Sequence, residues 1–217
     1  MKQEMDIRKS YASIRLIIGF LGLIMPFLVW LSNGELLASI SHYYYAKSSL
    51  FFTSILSAFG LLLISYHGYE ARPGEKISDN KVTNIAGVMA LAVVLIPTSC
   101  LGSGSEMVDV ACADRSYLLF GHQSTFFNTV HLVAAGIFLF SMGWMSINKF
   151  TLGGSKLNIY YRIAGYIVWG ALAVLVLRFL TGFVVTAQDV FWLETIAVVA
   201  FGISWILKSK LIINPKE

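Results

Sequence analysis

Long apolar runs dominate the chain, and short polar segments separate them. The runs do not alternate apolar with polar residues, so the pattern does not indicate β-strands. Hydrocarbon offers the backbone no hydrogen-bond partner, and a helix needs about 20 mostly apolar residues to cross it. The pattern therefore predicts an all-α polytopic membrane protein, a single bundle of six transmembrane helices. The six runs are residues 16–31, 49–66, 83–99, 126–147, 163–185 and 190–207.

The composition agrees with this pattern and excludes other classes. Of the 217 residues, 57% are hydrophobic and 13% are charged, and the mean hydropathy is +0.71. These values are too apolar for an ordinary soluble domain. A net charge of +4 could suggest nucleic acid, but the sixteen Lys and Arg residues are scattered and form no continuous basic stripe. We therefore expect membrane lipids as partners and no nucleic acid.

Lys and Arg concentrate in alternate connections, which predicts the orientation. The two terminal segments and the second and fourth connections hold 13 basic residues, whereas the other connections hold only Lys47 and Arg115. Basic residues near helix ends stay on the cytoplasmic side. We therefore expect both termini in the cytoplasm and the protein in a plasma membrane.

The two cysteines, Cys100 and Cys112, both fall in the connection after the third run. The charge pattern places this connection outside, where disulfides persist. We expect a Cys100–Cys112 disulfide, which would stabilise the fold by about 2–4 kcal/mol. Two independent thiols are the alternative.

The segment SISHYYYAKSS, residues 39–49, links the first two runs with unusual chemistry. Ser39 and Ser41 can bond to the backbone, so we expect them to cap the second helix. Tyrosines favour the boundary between headgroups and hydrocarbon. The three consecutive tyrosines should therefore fan around a helical turn as an interfacial belt.

Polar residues near the outer ends of the runs predict a site, because ionisable groups inside a membrane are costly. Glu194 lies one turn into the sixth run, and Arg178, near the outer end of the fifth, could pair with it. His131 lies two turns into the fourth run, with Asn128 on the same helical face. Together with Tyr44, these residues predict an outward-facing polar pocket. Its ligand would be a lipid, a small molecule or a partner helix, in an accessory or sensing role without catalysis.

Two other functions remain open at this point. A metal-dependent intramembrane hydrolase acting on lipid could bind zinc through His42, His122 and His131, with Ser41 or Glu194 acting on a bound water. The spacing of these histidines matches no local metal motif. A small-solute transporter is the second alternative, although transport sites usually lie near the midplane, where these runs carry almost no charge.

Six segments resemble a family of small bacterial multi-pass membrane proteins without an established activity. They are SISHYYY (39–45), YHGYE (66–70), NIAGVMALAVVLIPTS (84–99), HLVAAGIF (131–138), YRIAGY (161–166) and VFWLETIAVVAFGISWILKS (190–209). The resemblance implies six helices in a bacterial plasma membrane and favours His131 and Glu194 as site residues, without supplying a reaction. In helix count the chain also distantly resembles the DRAM-type eukaryotic membrane proteins. A membrane-protein partner or a homo-oligomer stays open.

Overall fold

The computed structural model of the chain describes residues 2–68, 75, 77–113, 124–153 and 155–213. All the regular secondary structure in these residues is helical. The α-helices are α1 (Lys2–Asn33), α2 (Ser49–Ser65), α3 (Asp79–Leu95), α4 (Glu106–Ala113), α5 (Thr125–Trp144), α6 (Asn158–Thr181) and α7 (Asp189–Ile213). A 3₁₀ helix, Ile40–Tyr45, joins α1 to α2 and is called the 40–45 turn below. After α5 the chain continues through a π-helical turn, Met145–Lys149, and a 3₁₀ turn, Phe150–Gly153. The all-α prediction is confirmed for this part of the chain.

Four helical segments are long and apolar enough to cross a membrane: Ser10–Asn33, Thr125–Leu152, Asn158–Thr181 and Asp189–Ser209. These lengths are compatible with a membrane protein. The other two predicted runs fall in shorter helices, because α2 and α3 have 17 residues each.

Local chemistry sets two helix ends that the apolar pattern placed too late. The third run was predicted to reach residue 99, but α3 ends at Leu95, because a residue that precedes proline, here Ile96 before Pro97, is disfavoured in the helical conformation. The fifth run was predicted to reach residue 185, but α6 ends at Thr181. Gly182 follows with φ +69, a left-handed conformation that glycine adopts without a steric penalty.

The six helices other than the short α4 form a closed ring in chain order. Successive members of the series α1, α2, α3, α5, α6 and α7 contact each other, and α7 returns to contact α1. Glycines allow the closest approaches: a Cβ on Gly202 would lie 2.6 Å from the carbonyl oxygen of Gly19, and a Cβ on Gly87 would lie 2.5 Å from that of Gly60. Small residues thus bring α1 against α7 and α2 against α3, backbone to backbone.

Buried cations occupy the end of the ring opposite the 40–45 turn. Arg15 donates to the Tyr66 hydroxyl and lies over its ring. Lys149 forms an ion pair with Glu75 at 2.5 Å, and Lys208 donates to a backbone carbonyl oxygen at 2.7 Å. All three cations lie in, or at the edge of, the basic segments that were predicted to face the cytoplasm.

Candidate functional site

The 40–45 turn closes one end of the helical ring, and Ser39 caps it. The Ser39 hydroxyl oxygen accepts a hydrogen bond from the backbone N–H of His42 at 3.3 Å. The predicted cap therefore exists on this turn and not on α2, which corrects the prediction. Ser48 is the N-cap residue of α2 and makes no side-chain cap hydrogen bond to any described residue. Ser41, the other predicted cap, points to a different partner described below.

The three tyrosine side chains point in different directions around this turn, as predicted, but two of them make hydrogen bonds inside the protein. Tyr43 is fully buried, and its hydroxyl donates to the backbone carbonyl of Glu35 at 3.0 Å. Burial raises the pKa of Tyr43 to about 12, so the hydroxyl keeps the proton it donates. Tyr45 donates to the carbonyl of Thr98 at 2.5 Å. Tyr44 is partly buried and packs edge-on against the Tyr45 ring. The expected interfacial belt is therefore wrong for Tyr43 and Tyr45.

Ser41 and His131 meet in a buried contact between the turn and α5. His131 Nδ1 lies 2.7 Å from the backbone carbonyl oxygen of Ile96, which can only accept, so Nδ1 carries the proton. In that neutral tautomer Nε2 is an acceptor, and the Ser41 hydroxyl donates to it at 2.9 Å. The Ile96 carbonyl is available because Pro97 ends the helical register of α3. Both residues were placed in the alternative hydrolase site from the sequence, but a direct hydrogen bond between them was not predicted.

Asn128 and His131 lie on the same face of α5, as predicted, and both bond to the segment that follows α3. Asn128 Oδ1 accepts from the backbone N–H of Ser99 at 2.8 Å and from the Thr98 hydroxyl at 3.0 Å. Together with the His131 bond to the Ile96 carbonyl, these contacts hold residues 96–99 against α5. Asn128 therefore supports the loop and does not itself line either cavity described below.

Glu194 and Arg178 lie near the same end of the ring, but they do not form the ion pair that their similar depth would allow. Glu194 Oε2 instead accepts the backbone N–H of Ile40 at 2.7 Å. Arg178 Nε lies 2.7 Å from Asp189 Oδ1, because Asp189 begins α7 directly beside the last turn of α6. The other Asp189 oxygen accepts from the N–H of Val185 at 3.1 Å. Asp189 was missed in the sequence, although its acidic side chain beside a short connection was a usable signal.

Some of these residues line two neighbouring cavities. A groove of about 540 Å³ runs between α5, α6 and the start of α7. Apolar side chains form most of its walls, and Arg178 and Glu194 are its charged lining residues among those described. A small cavity of about 50 Å³ lies behind it, with Ser41 and Glu194 in its wall. Ala135, Leu139 and Glu194 line both spaces, so the small cavity adjoins the groove.

The alternative zinc site is not assembled by the described residues. Both ring nitrogens of His131 already have partners, and His42 Nδ1 lies 3.0 Å from Ser39 Oγ. Within the described ranges, no group of three or more His, Cys, Asp or Glu side chains could hold a metal ion. His122 lies outside the described residues, so the set of three histidines stays a prediction.

The predicted disulfide involves one described and one undescribed side chain. Cys100 is fully buried and is not a free thiol. The side chain of Cys112, near the end of α4, lies outside the described residues. Its pairing with Cys100 therefore stays a prediction.

The fold and this end of the ring define a class: an all-helical protein with apolar helices of membrane-spanning length, a buried serine–histidine contact and a lateral groove. No family model matches the chain, and no curated protein or solved structure matches it either.

Proposed function

We propose that the chain is a six-span integral membrane protein that binds a lipid in the groove between α5, α6 and α7. Six helices arranged in a closed ring support the span count, since the two shorter helices, α2 and α3, pack against each other and complete the ring between α1 and α5. The outward surfaces are apolar, with Leu180 73% and Leu61 59% exposed. An apolar surface of this kind requires hydrocarbon around it, and we place it in a bacterial plasma membrane with both termini in the cytoplasm.

The groove is the observation that carries the proposal. Its volume of about 540 Å³ lies within the range of small-molecule sites. Its walls are apolar side chains along α5 and α6, whereas Arg178, paired with Asp189, marks the end near the start of α7. An amphiphile has the same division between an apolar chain and a polar head. The acyl chain would lie along the walls, and the headgroup would contact the Arg178–Asp189 pair.

Two glycines allow a matched test of lipid binding. A Cβ at Gly136 or at Gly170 would meet no described atom within 4 Å, so both positions accept a larger side chain. Only Gly136 lines the groove. Gly136→Phe would fill the groove, and Gly170→Phe would add the same ring on α6 outside it.

The assay is photo-crosslinking of the full-length protein in vesicles that contain a phospholipid with a diazirine on its acyl chain. We expect crosslinks on α5 and α6 in the wild type and in Gly170→Phe, and a loss of at least fivefold in Gly136→Phe. Equal crosslinking in all three proteins would refute the site. Absence of the lipid crosslink together with a dimer in detergent that Gly136→Phe dissociates, measured by analytical ultracentrifugation, would show that the groove is a subunit interface.

The orientation has a separate test. A cysteine is introduced at the exposed position Lys47, or at Lys216, in a chain whose two native cysteines are replaced by serine. We expect an impermeant maleimide to label the Lys47→Cys variant in intact cells and the Lys216→Cys variant only after permeabilisation. The reverse pattern would overturn the assignment of the termini.

A further inference from the structure

Ser41 and His131 have the arrangement of a nucleophile and its general base. The Ser41 hydroxyl donates to His131 Nε2 at 2.9 Å, which is hydrogen-bond reach for proton transfer. The base is itself oriented by a third group, since Nδ1 donates to the Ile96 carbonyl at 2.7 Å. A nucleophile, a base and a group that orients the base are the parts required for an activated serine. We propose that Ser41 is the nucleophile of acyl transfer from an ester-linked lipid, which rests on the lipid site proposed above.

The two cavities offer separate spaces for the acyl chain and for the ester group of a lipid. The groove of about 540 Å³ has room for an acyl chain, whereas the space of about 50 Å³ beside Ser41 has room only for a small group such as an ester carbonyl. Ala135, Leu139 and Glu194 form the wall common to both. Access of a lipid ester from the groove to Ser41 therefore requires the side chains of this common wall to move apart, while the acyl chain stays in the apolar part.

The depth of the contact fits an ester-linked lipid. His131 lies six positions after Thr125, the first residue of α5, which corresponds to about 9 Å along a helix. Ser41 lies in the turn between α1 and α2, at the same end. Lipid esters lie between the headgroups and the hydrocarbon, so the hydroxyl and the scissile bond would share this level.

Glu194 is a positioning residue for this serine. Its Oε2 accepts the backbone N–H of Ile40, the residue before Ser41. Ser41 is thereby held from two sides, by α7 through the backbone and by α5 through the side chain. Such support is needed because a nucleophile acts only when it is held close to the productive geometry.

The reaction balances without an oxidant or reductant. Ser41 Oγ attacks the ester carbonyl carbon, and its proton passes to His131 Nε2. Breaking the bond between that carbon and the alcohol oxygen releases the alcohol, which takes the proton from Nε2, and leaves an acyl-Ser41 ester. A water molecule then gives a proton to Nε2 and attacks the acyl carbon, and the Ser41 oxygen takes the proton back. The sum is ester plus water to carboxylic acid plus alcohol.

The test is covalent labelling of Ser41 by two fluorophosphonates, one with short alkyl groups and one with a long alkyl chain. The full-length protein in detergent micelles is treated with each probe, and the modified peptide is identified by mass spectrometry. We expect an adduct on Ser41 with both probes. His131→Gln should slow it by about 10²-fold or more, the usual contribution of a general base. Ser48→Ala removes a nearby hydroxyl that makes no hydrogen bond to any described residue, and it should label at the wild-type rate.

The pH dependence separates a general base from a structural histidine. In the wild type the labelling rate should rise as the pH increases through one ionisation, because only the neutral imidazole accepts the serine proton. In His131→Gln this rise should be absent. A rate with the same pH dependence in both proteins would overturn the role of His131.

The two proposals fail in different ways. If neither probe labels Ser41 while the diazirine lipid still crosslinks in the groove, the nucleophile is overturned and the lipid site stands. If the short probe labels Ser41 but the long probe reacts equally with the wild type and Gly136→Phe, the nucleophile stands and the groove is not its substrate site.

Discussion

Glu194→Ala tests whether α7 holds the 40–45 turn in place. The substitution removes the oxygen that accepts the backbone N–H of Ile40 at 2.7 Å. Ile40 is buried, with 4% of its surface exposed, so no solvent replaces the lost acceptor. The matched control is Glu194→Gln, which keeps an acceptor oxygen at the same reach and removes only the ability to ionise.

The magnitude follows from the hydrogen bond. A buried donor left without a partner costs about 1–3 kcal/mol, whereas exchanging one acceptor for another changes stability by less than about 1 kcal/mol. We therefore expect Glu194→Ala to lower the free energy of unfolding by about 2 kcal/mol, a change of roughly 30-fold in the unfolding equilibrium constant. Glu194→Gln should stay within about 1 kcal/mol of the wild type.

The assay is an SDS titration of the protein in mixed micelles, followed by tryptophan fluorescence. Labelling of Ser41 by the short fluorophosphonate, measured on the same samples below the unfolding transition, reports the position of the turn. Wild-type stability in Glu194→Ala would show that the turn does not depend on α7. An equal loss in the Ala and Gln variants would show that ionisation, and not the acceptor oxygen, is what the fold uses.

Three further changes probe the fold and the site. Gly202→Ala places a Cβ within 2.6 Å of a backbone carbonyl of α1, so we expect a loss of about 2 kcal/mol or more in the SDS titration, with Gly170→Ala as the neutral control. Burial lowers the pKa of His42 from 6.5 to about 4, so the unfolded chain takes up the proton first as the pH falls. Stability should therefore decrease from pH 6.5 to 4, and His42→Gln should lack this part of the decrease in thermal melts. Dithiothreitol should lower the melting temperature of the wild type but not of Cys112→Ser, and equal sensitivity would contradict the Cys100–Cys112 disulfide.

The six longer helices could be predicted because hydrophobicity indicates where they lie, whereas α4 and the 40–45 turn fall outside the apolar runs and were not predicted from hydrophobicity. Every predicted apolar run falls on a helix, since no other local structure satisfies the backbone of a long apolar segment. The ends could not be predicted from hydrophobicity, because they depend on backbone chemistry. Pro97 stops α3 and Gly182 stops α6 within runs that remain apolar beyond those points.

The partners of the charged residues were harder to predict than their depth. Arg178 and Glu194 do lie near the same end of the ring, as the antiparallel arrangement of their helices requires. Depth alone does not decide which side of α7 faces α6, and Asp189 competes for the same guanidinium from the first turn. The Glu194 carboxyl instead accepts a hydrogen bond from the backbone of the 40–45 turn.

The contact between Ser41 and His131 lies beyond sequence reasoning because it depends on three elements at once. Ninety positions separate the two residues, and the bond between them fixes the turn against α5. Its geometry also requires Pro97 to end α3, since only then does the Ile96 carbonyl reach Nδ1 and leave Nε2 to accept. Ser41 and His131 are both buried, so the serine hydroxyl and the imidazole nitrogens would each be costly without a hydrogen-bond partner. The hydrogen bonds that close this end of the ring therefore also direct the proton of the Ser41 hydroxyl at the His131 imidazole. They do so beside a small cavity.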